Sequence, residues 1–196
     1  MPYRWRKQTP EQREEWLARR KLLKRPWHRP PHFDQGNIHY HLSAACFEHR
    51  PHIGYSDDRL EEFSNRLLNV FPAPSAAWCV LPNHYHLLIR TPDVRTIVSQ
   101  LGQLHGKTSF EWNGEEGLRG RQIWHSASDR GMQNSEHFWA TVNYIHNNPV
   151  KHGYVDSWQD WPFSSAQDFL EAEGREGAVR LWKEYPVMDY GKGWDD

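Results

Sequence analysis

The stretch "AAWCVLPNHYHLLIR", residues 76–90, decides the fold. Ala77 to Val80 is a short apolar run that suits a strand. Leu81-Pro82-Asn83 is turn chemistry, because proline fixes its own φ and asparagine tolerates tight turns. Beyond the turn, Tyr85, Leu87 and Ile89 fall on one face of a second strand, and His84 and His86 fall together on the other. Two neutral imidazoles that close can chelate one divalent ion. The same tripeptide recurs as His39-Tyr40-His41 within "NIHYHLSAACF", residues 37–47, with the same alternation. Periodicity alone therefore does not choose between the pairs, and solvent-facing or hydrogen-bonded histidines are the competing reading of either.

The flanking segments supply the remaining elements. "NIHYHLSAACF" alternates, with Ile38, Tyr40, Leu42 and Ala44 on one face, and predicts a strand. "DDRLEEFSNRLLNVF" has helical spacing at Leu60, Phe63, Leu67 and Val70. "VRTIVSQLGQLHGKTSFEWN" predicts a second helix, and "GRQIWHS" a short strand after a glycine-rich loop. "NSEHFWATVNYIHNNP" predicts a helix capped by Asn134 or Ser135 and stopped by Pro149. Beyond Trp161, "SSAQDFLEAEG" predicts one more helix, and the residues after it read as a loosely specified acidic tail. The order strand–helix–strand–strand–helix–strand is that of an α+β, ferredoxin-like or RRM-like antiparallel sheet with packed helices. That order serves many functions.

Composition narrows the partners. The formal net charge is −1, yet Met1 to Pro30 holds ten Lys/Arg against three Glu, and Asp156 onward holds ten acids against four bases. "TPEQREEWLARRKLLKR" predicts a basic N-terminal helix capped by Thr9, followed by the linker "PWHRPPHF". A basic arm fits a polyanion, and a solvated helix face is the bland alternative. Cys46 and Cys79 form no spaced motif and read as reduced thiols in a cytoplasmic protein. No apolar run approaches a membrane span, so a soluble, unexported protein is expected.

In the helix over 135–148, His137, Thr141, Tyr144 and Asn148 recur at i, i+4, i+7 and i+11. Phe138, Val142 and Ile145 form the neighbouring apolar stripe expected to pack on the sheet. Tyr144 and Asn148 are thus expected at the edge of the buried face, and an amphipathic rim residue is the ordinary reading of such a tyrosine.

"CVLPNHYHLLI" at 79–89 and "YIHNNPVKHGYV" at 144–155 resemble the two signature blocks of single-tyrosine HUH transposases, and within them the REP-associated tyrosine transposases. "WPFSSAQDF", "HYHLSAACFEHRP" and "LGQLHGKTSFEWN" resemble further blocks, so the likeness covers about residues 37–170. Only the middle part is covered by the resemblance: a transposase domain over 35–170, flanked by a basic helical extension over 1–34 and an acidic tail over 171–196 that are read from charge and pattern alone. The resemblance implies that His84 and His86 bind the metal, Mg²⁺ or Mn²⁺, with Asn148 as third ligand, and that Tyr144 is the nucleophile. His39 and His41 fall where the family has no assigned ligand, and read as structural or DNA-adjacent. It also implies a bacterial, nucleoid-associated enzyme, a monomer rather than a dimer, acting on single-stranded DNA with hairpins. In the family the tyrosine holds the 5′ phosphate and a 3′-OH is freed.

This chemistry suits the residues. A divalent ion held by histidines polarises a phosphate oxygen, and a carboxamide oxygen is a fitting third donor for Mg²⁺ or Mn²⁺. A tyrosine attacks to give a covalent ester that conserves the bond. An unperturbed phenol titrates near ~10, so it needs help; His137 or His146 are candidate bases, though His146, two residues from Tyr144, points elsewhere on a regular helix. Arg4, Arg6, Arg19, Arg20, Lys21, Lys24 and Arg25 are placed on DNA phosphates by charge alone, with Trp5 and Trp27 as stacking candidates. A non-catalytic hairpin or single-stranded DNA-binding module would be expected to have lost one of His84, His86 and Tyr144. A replication or mobilisation initiator would be expected to carry accessory domains. A zinc hydrolase would need a further His and Asp cluster.

Overall fold

The computed structural model describes residues 38–70 and 75–187, together with Thr9 and Glu11. The basic N-terminal helix, its seven candidate phosphate contacts, Trp5, Trp27, the linker and the last residues of the tail lie outside the described residues. Four strands form one antiparallel sheet: β1 (His39–Ala45), β2 (Ala77–Val80), β3 (His84–Arg90) and β4 (Ser128–Gly131), in the order β2-β3-β1-β4. Helix α1 (Asp57–Leu68) joins β1 to β2, and α2 (Val94–Glu115) joins β3 to β4. Helix α3 (Ser135–Lys151) follows, and α4 (Ala166–Glu184) is the last helix of the described residues. This is the ferredoxin-like α+β topology that the order of elements predicts.

The sheet is covered on both faces. Tyr40, Leu42, Ala44, Tyr85, Leu87 and Ile89 project to one side and bury against Leu60, Phe63 and Leu67 of α1 and Val94, Ile97, Leu101 and Trp112 of α2. Ser56 caps α1 and Asp93 caps α2, each accepting from a backbone N–H of the first turn. On the other side Ala77, Cys79 and Leu88 bury against Val142, Tyr144 and Ile145 of α3. Alternation along β1 and β3 thus feeds two cores, and the histidines at even positions of β3 go to the second. Both cysteines are free and buried.

Four details differ from the sequence expectation, each for a physical reason. "GRQIWHS" is not the fourth strand: Ile123 and Trp124 sink into the first core, and Trp124 makes only an isolated bridge to Cys46. The fourth strand is the polar Ser128–Gly131 pairing Tyr40–Ser43 at the sheet edge, where half-exposed residues give no apolar alternation. Pro149 does not stop α3, which runs to Lys151. Its missing N–H falls in the last turn, and His152 N–H still closes onto the Asn148 carbonyl at 3.0 Å. Ile38, grouped with the core face of β1, precedes the strand and is exposed.

The fourth detail is the tail. The chain bends at Gly174, whose φ of +68° suits glycine, and then resumes helix to Glu184. It does so because Ala178 and Leu181 bury against the domain. Asn143 Nδ2 donates to the carbonyls of Leu181 (3.2 Å) and Tyr185 (2.8 Å), and Trp182 stacks on Trp158 at 5.4 Å. On the same side His146 Nε2 hydrogen-bonds Ser165 Oγ at 2.9 Å. The first half of the tail is therefore a buttress behind α3.

Two buried histidines make stability pH-dependent. Burial pushes His146 down to about 3 and His105, hydrogen-bonded to Tyr85 Oη at 3.0 Å, down to about 4. Folded values below the unfolded ~6.5 mean that unfolding takes up protons between these limits, so stability is full above ~6.5 and falls as pH drops. Each histidine contributes a slope of up to about 1.4 kcal/mol per pH unit. Urea midpoints should fall from pH 7 to pH 5, and His105→Gln should lessen the fall; midpoints independent of pH over this range would contradict the burial of both rings.

Candidate functional site: histidines, tyrosine and asparagine between β3 and α3

His84 and His86 lie side by side on β3 beneath α3, with ring centroids 5.1 Å apart and planes at 82°. Tyr144 descends from α3 onto His86, centroid to centroid 5.2 Å, and onto His41 of β1 at 6.0 Å. Asn148, one turn on, places Oδ1 3.0 Å from His84 Nε2. The structure thus brings together all four residues singled out from the sequence. It corrects their setting: Tyr144 is not at the rim but 1% exposed, and Asn148 is fully buried. The reason is that α3 covers the histidine face itself, so the stripe next to Val142 and Ile145 is interior.

The orientation of His84 follows from its neighbours. Residues 47–55 fold over the β2–β3 turn, and Gly54 sits so close that a Cβ there would lie 2.5 Å from Pro82 Cβ. Glu48 and His49 take left-handed φ values of 55° and 53°, a conformation costly for residues other than glycine. This turn presents the His49 carbonyl to Asn83 Nδ2 at 3.2 Å. The Asn83 oxygen therefore faces His84 Nδ1, at 2.7 Å. A carboxamide oxygen only accepts, so Nδ1 carries the hydrogen and a neutral His84 presents a lone pair at Nε2.

That lone pair meets the Asn148 oxygen at 3.0 Å, while Asn148 Nδ2 is buried without a hydrogen-bond partner. Turning the carboxamide over would satisfy Nε2 and leave the oxygen without a donor instead. Two acceptors at this distance repel unless they share a proton or a cation. A six-coordinate ion with bonds of about 2.1 Å spaces adjacent ligand atoms by about 3.0 Å. Two imidazoles and a carboxamide therefore fit a divalent ion of the Mg²⁺ or Mn²⁺ kind. Among the described residues no group of three or more His, Cys, Asp and Glu is arranged to hold a metal.

Three neighbours escaped the sequence reading. Lys151 Nζ lies 5.6 Å from the Tyr144 ring centroid, and the His152 ring is 4.9 Å from that of His84. Both were legible as positions seven and eight residues beyond Tyr144, the same face two turns on. Asn83 was read only as a turn residue. Of the two candidate bases, His146 is turned into the cluster with Ser165, Trp158 and Phe169. His137 lies seven residues back, roughly 10 Å along the helix.

No family model matches the chain. A curated protein of Haemophilus influenzae named "Putative REP-associated tyrosine transposase" is 29% identical over 138 residues, covering 61% of this chain and 75% of that one. The "REP-associated tyrosine transposase" of Escherichia coli K12 is 33% identical over 89 residues, covering 45% of this chain and 52% of that one. A solved REP-associated tyrosine transposase, bound to a REP hairpin, shares the fold with TM-score 0.52 at 22% identity, over 72% of this chain and 82% of that one. The fold and the sequence thus resemble those of tyrosine transposases. The likeness is to the REP-associated group, as the blocks at 79–89 and 144–155 imply.

Burial of Tyr144 has a direct consequence. Tyr144→Ala should lose roughly 3–5 kcal/mol, whereas Tyr144→Phe, which keeps the ring, should lose about 1 kcal/mol. Urea denaturation distinguishes them, and an alanine variant as stable as the wild type would show that the ring does not pack on the sheet.

Proposed function

We propose that the protein is a metal-dependent single-stranded DNA endonuclease and strand transferase of the transposase kind, acting as a monomer at REP-type hairpins through a covalent phosphotyrosine. The observation that carries this reading is the placement of Tyr144 against His86, beside the His84–Asn148 pair, all within one chain. The relatives' names point the same way, and the solved neighbour was captured on a REP hairpin.

His84 Nε2, His86 and Asn148 Oδ1 would hold the ion. When bound, it supplies polarisation of a non-bridging phosphate oxygen and neutralises charge there. Tyr144 Oη attacks phosphorus, its O–P bond forms as the bond to the 3′ oxygen breaks, the phenolic proton leaves and the freed 3′ oxygen takes one up. The reverse sequence reseals the strand. Lys151, with its ammonium 5.6 Å from the Tyr144 ring centroid, is placed to attract the phosphate that Tyr144 attacks. His146, held near 3 by burial and bonded to Ser165, serves packing and not proton transfer. Lys151 and His152 are exposed and mark the end of α3 by which DNA approaches. Because Tyr144 is covered, Oη must be bared as the phosphate enters.

A single strand splays its phosphate and bases into such a pocket, which a stiff duplex does only with deformation. The hairpin stem offers backbone contacts that carry little sequence information. Incubated with hairpin single-stranded DNA and Mn²⁺, the wild type should give a covalent adduct on denaturing electrophoresis, and Tyr144→Phe none. Fully complementary duplex of the same sequence should stay intact. An adduct from the phenylalanine variant would remove Tyr144 as nucleophile, and equal scission of duplex would overturn the substrate.

A further inference from the structure

The first HYH is not a spare copy of the second. β1 and β3 are antiparallel with Ser43 opposite His86, so His41, two residues from Ser43 on the same face, lies diagonally across from His86. His41 Nε2 is 3.1 Å from His86 Nδ1, both rings are buried, and their centroids are 5.2 Å apart at 34°. The contact repeats what Asn83 does to His84. In each case the Nδ1 edge of a β3 histidine is held by a fixed neighbour, and the Nε2 edge is left as the one that can take a ligand.

We propose that His41 is a positioning residue: its Nε2 accepts the hydrogen of His86 Nδ1, which sets the tautomer in which His86 offers a lone pair at Nε2 to the metal. This rests on the reading that His84 and His86 are the ligand pair. A ligating histidine commonly gives its second N–H to a carboxylate, a carbonyl or water; here another imidazole takes that place. For His41 to accept, its own hydrogen sits on Nδ1, so the tautomer of one histidine dictates that of the next. His41 also packs its edge on Tyr144, at 6.0 Å between centroids. One side chain therefore orients a metal ligand and shapes the wall against which the nucleophile lies. His39, the other member of the tripeptide, packs instead on Phe138, 5.1 Å between centroids, and has no such part.

The test uses the full chain and Mn²⁺ alone, without DNA. Mn²⁺ affinity is measured by calorimetry, and the tautomers by long-range ¹H–¹⁵N correlations of the metal-free protein. Wild type should bind, and His84→Gln should not; if wild type fails to bind Mn²⁺, the ligand-pair reading itself falls. With that control met, His41→Phe should weaken Mn²⁺ roughly 10- to 100-fold. His86 should carry its hydrogen on Nδ1 in the wild type and shift toward Nε2 in His41→Phe. His41→Gln, whose carboxamide oxygen accepts, should recover much of the affinity. A His41→Phe affinity within twofold of wild type, or a wild-type His86 with its hydrogen on Nε2, would overturn the proposal while leaving the ligand pair intact. Should His41→Phe fail to fold, the wild-type tautomer and the glutamine variant decide alone.

Discussion

β3 is a strand buried on both faces, and the rest of the molecule answers to that constraint. Tyr85, Leu87 and Ile89 enter one core, and His84, His86 and Leu88 are covered by α3. Burying imidazoles away from water is costly unless their nitrogens find partners. Asn83, Asn148 and His41 meet His84 and His86 within 3.1 Å. The strained Glu48–His49 turn orients Asn83, the tight approach of Gly54 to Pro82 holds the turn, and α3 delivers Asn148. The Nδ1 edges are satisfied by Asn83 and His41, whereas the approach of Asn148 Oδ1 to His84 Nε2 sets two acceptors together and is satisfied only by a shared proton or cation.

The second requirement is that α3 not move. The proposed chemistry asks that the helix hold Tyr144 and Asn148 in place. Behind α3 the Trp158–Trp182 stack, the His146–Ser165 bond and the two bonds from Asn143 to α4 tie it to the C-terminal helix. Neutral His146 is part of this packed layer. Across the sheet, Arg59 bonds Glu115 and Glu116 and clamps α1 to the end of α2, which steadies the loop that follows β1.

The topology was legible because strong alternation at 39–45 and 84–90 and helical spacing at 57–68 and 94–115 agree with the order of elements. The edge strand Ser128–Gly131 was not, since a half-exposed polar strand carries no apolar period. Helix beyond Gly174 was hidden because glycine is the usual stop, and only the buried Ala178 and Leu181 reveal that the chain resumes. At the site, His84, His86, Tyr144 and Asn148 were readable from spacing together with the family blocks. Their depth was not, because a sequence shows which residues share a face and not that a further helix will cover it. His41 was readable as a histidine on the correct face of β1, but its contact with His86 depends on strand register, which only pairing supplies.

The central claim is that the β3 histidines, with Asn148, form a metal centre beside Tyr144. Crystals of the full chain grown with Mn²⁺ test it by anomalous diffraction. One strong peak is expected within about 2.0–2.3 Å of a nitrogen of His84 and a nitrogen of His86, and in contact with Asn148 Oδ1. A peak seated on His39 and His41 instead, or an ion that avoids His84 altogether, would contradict it.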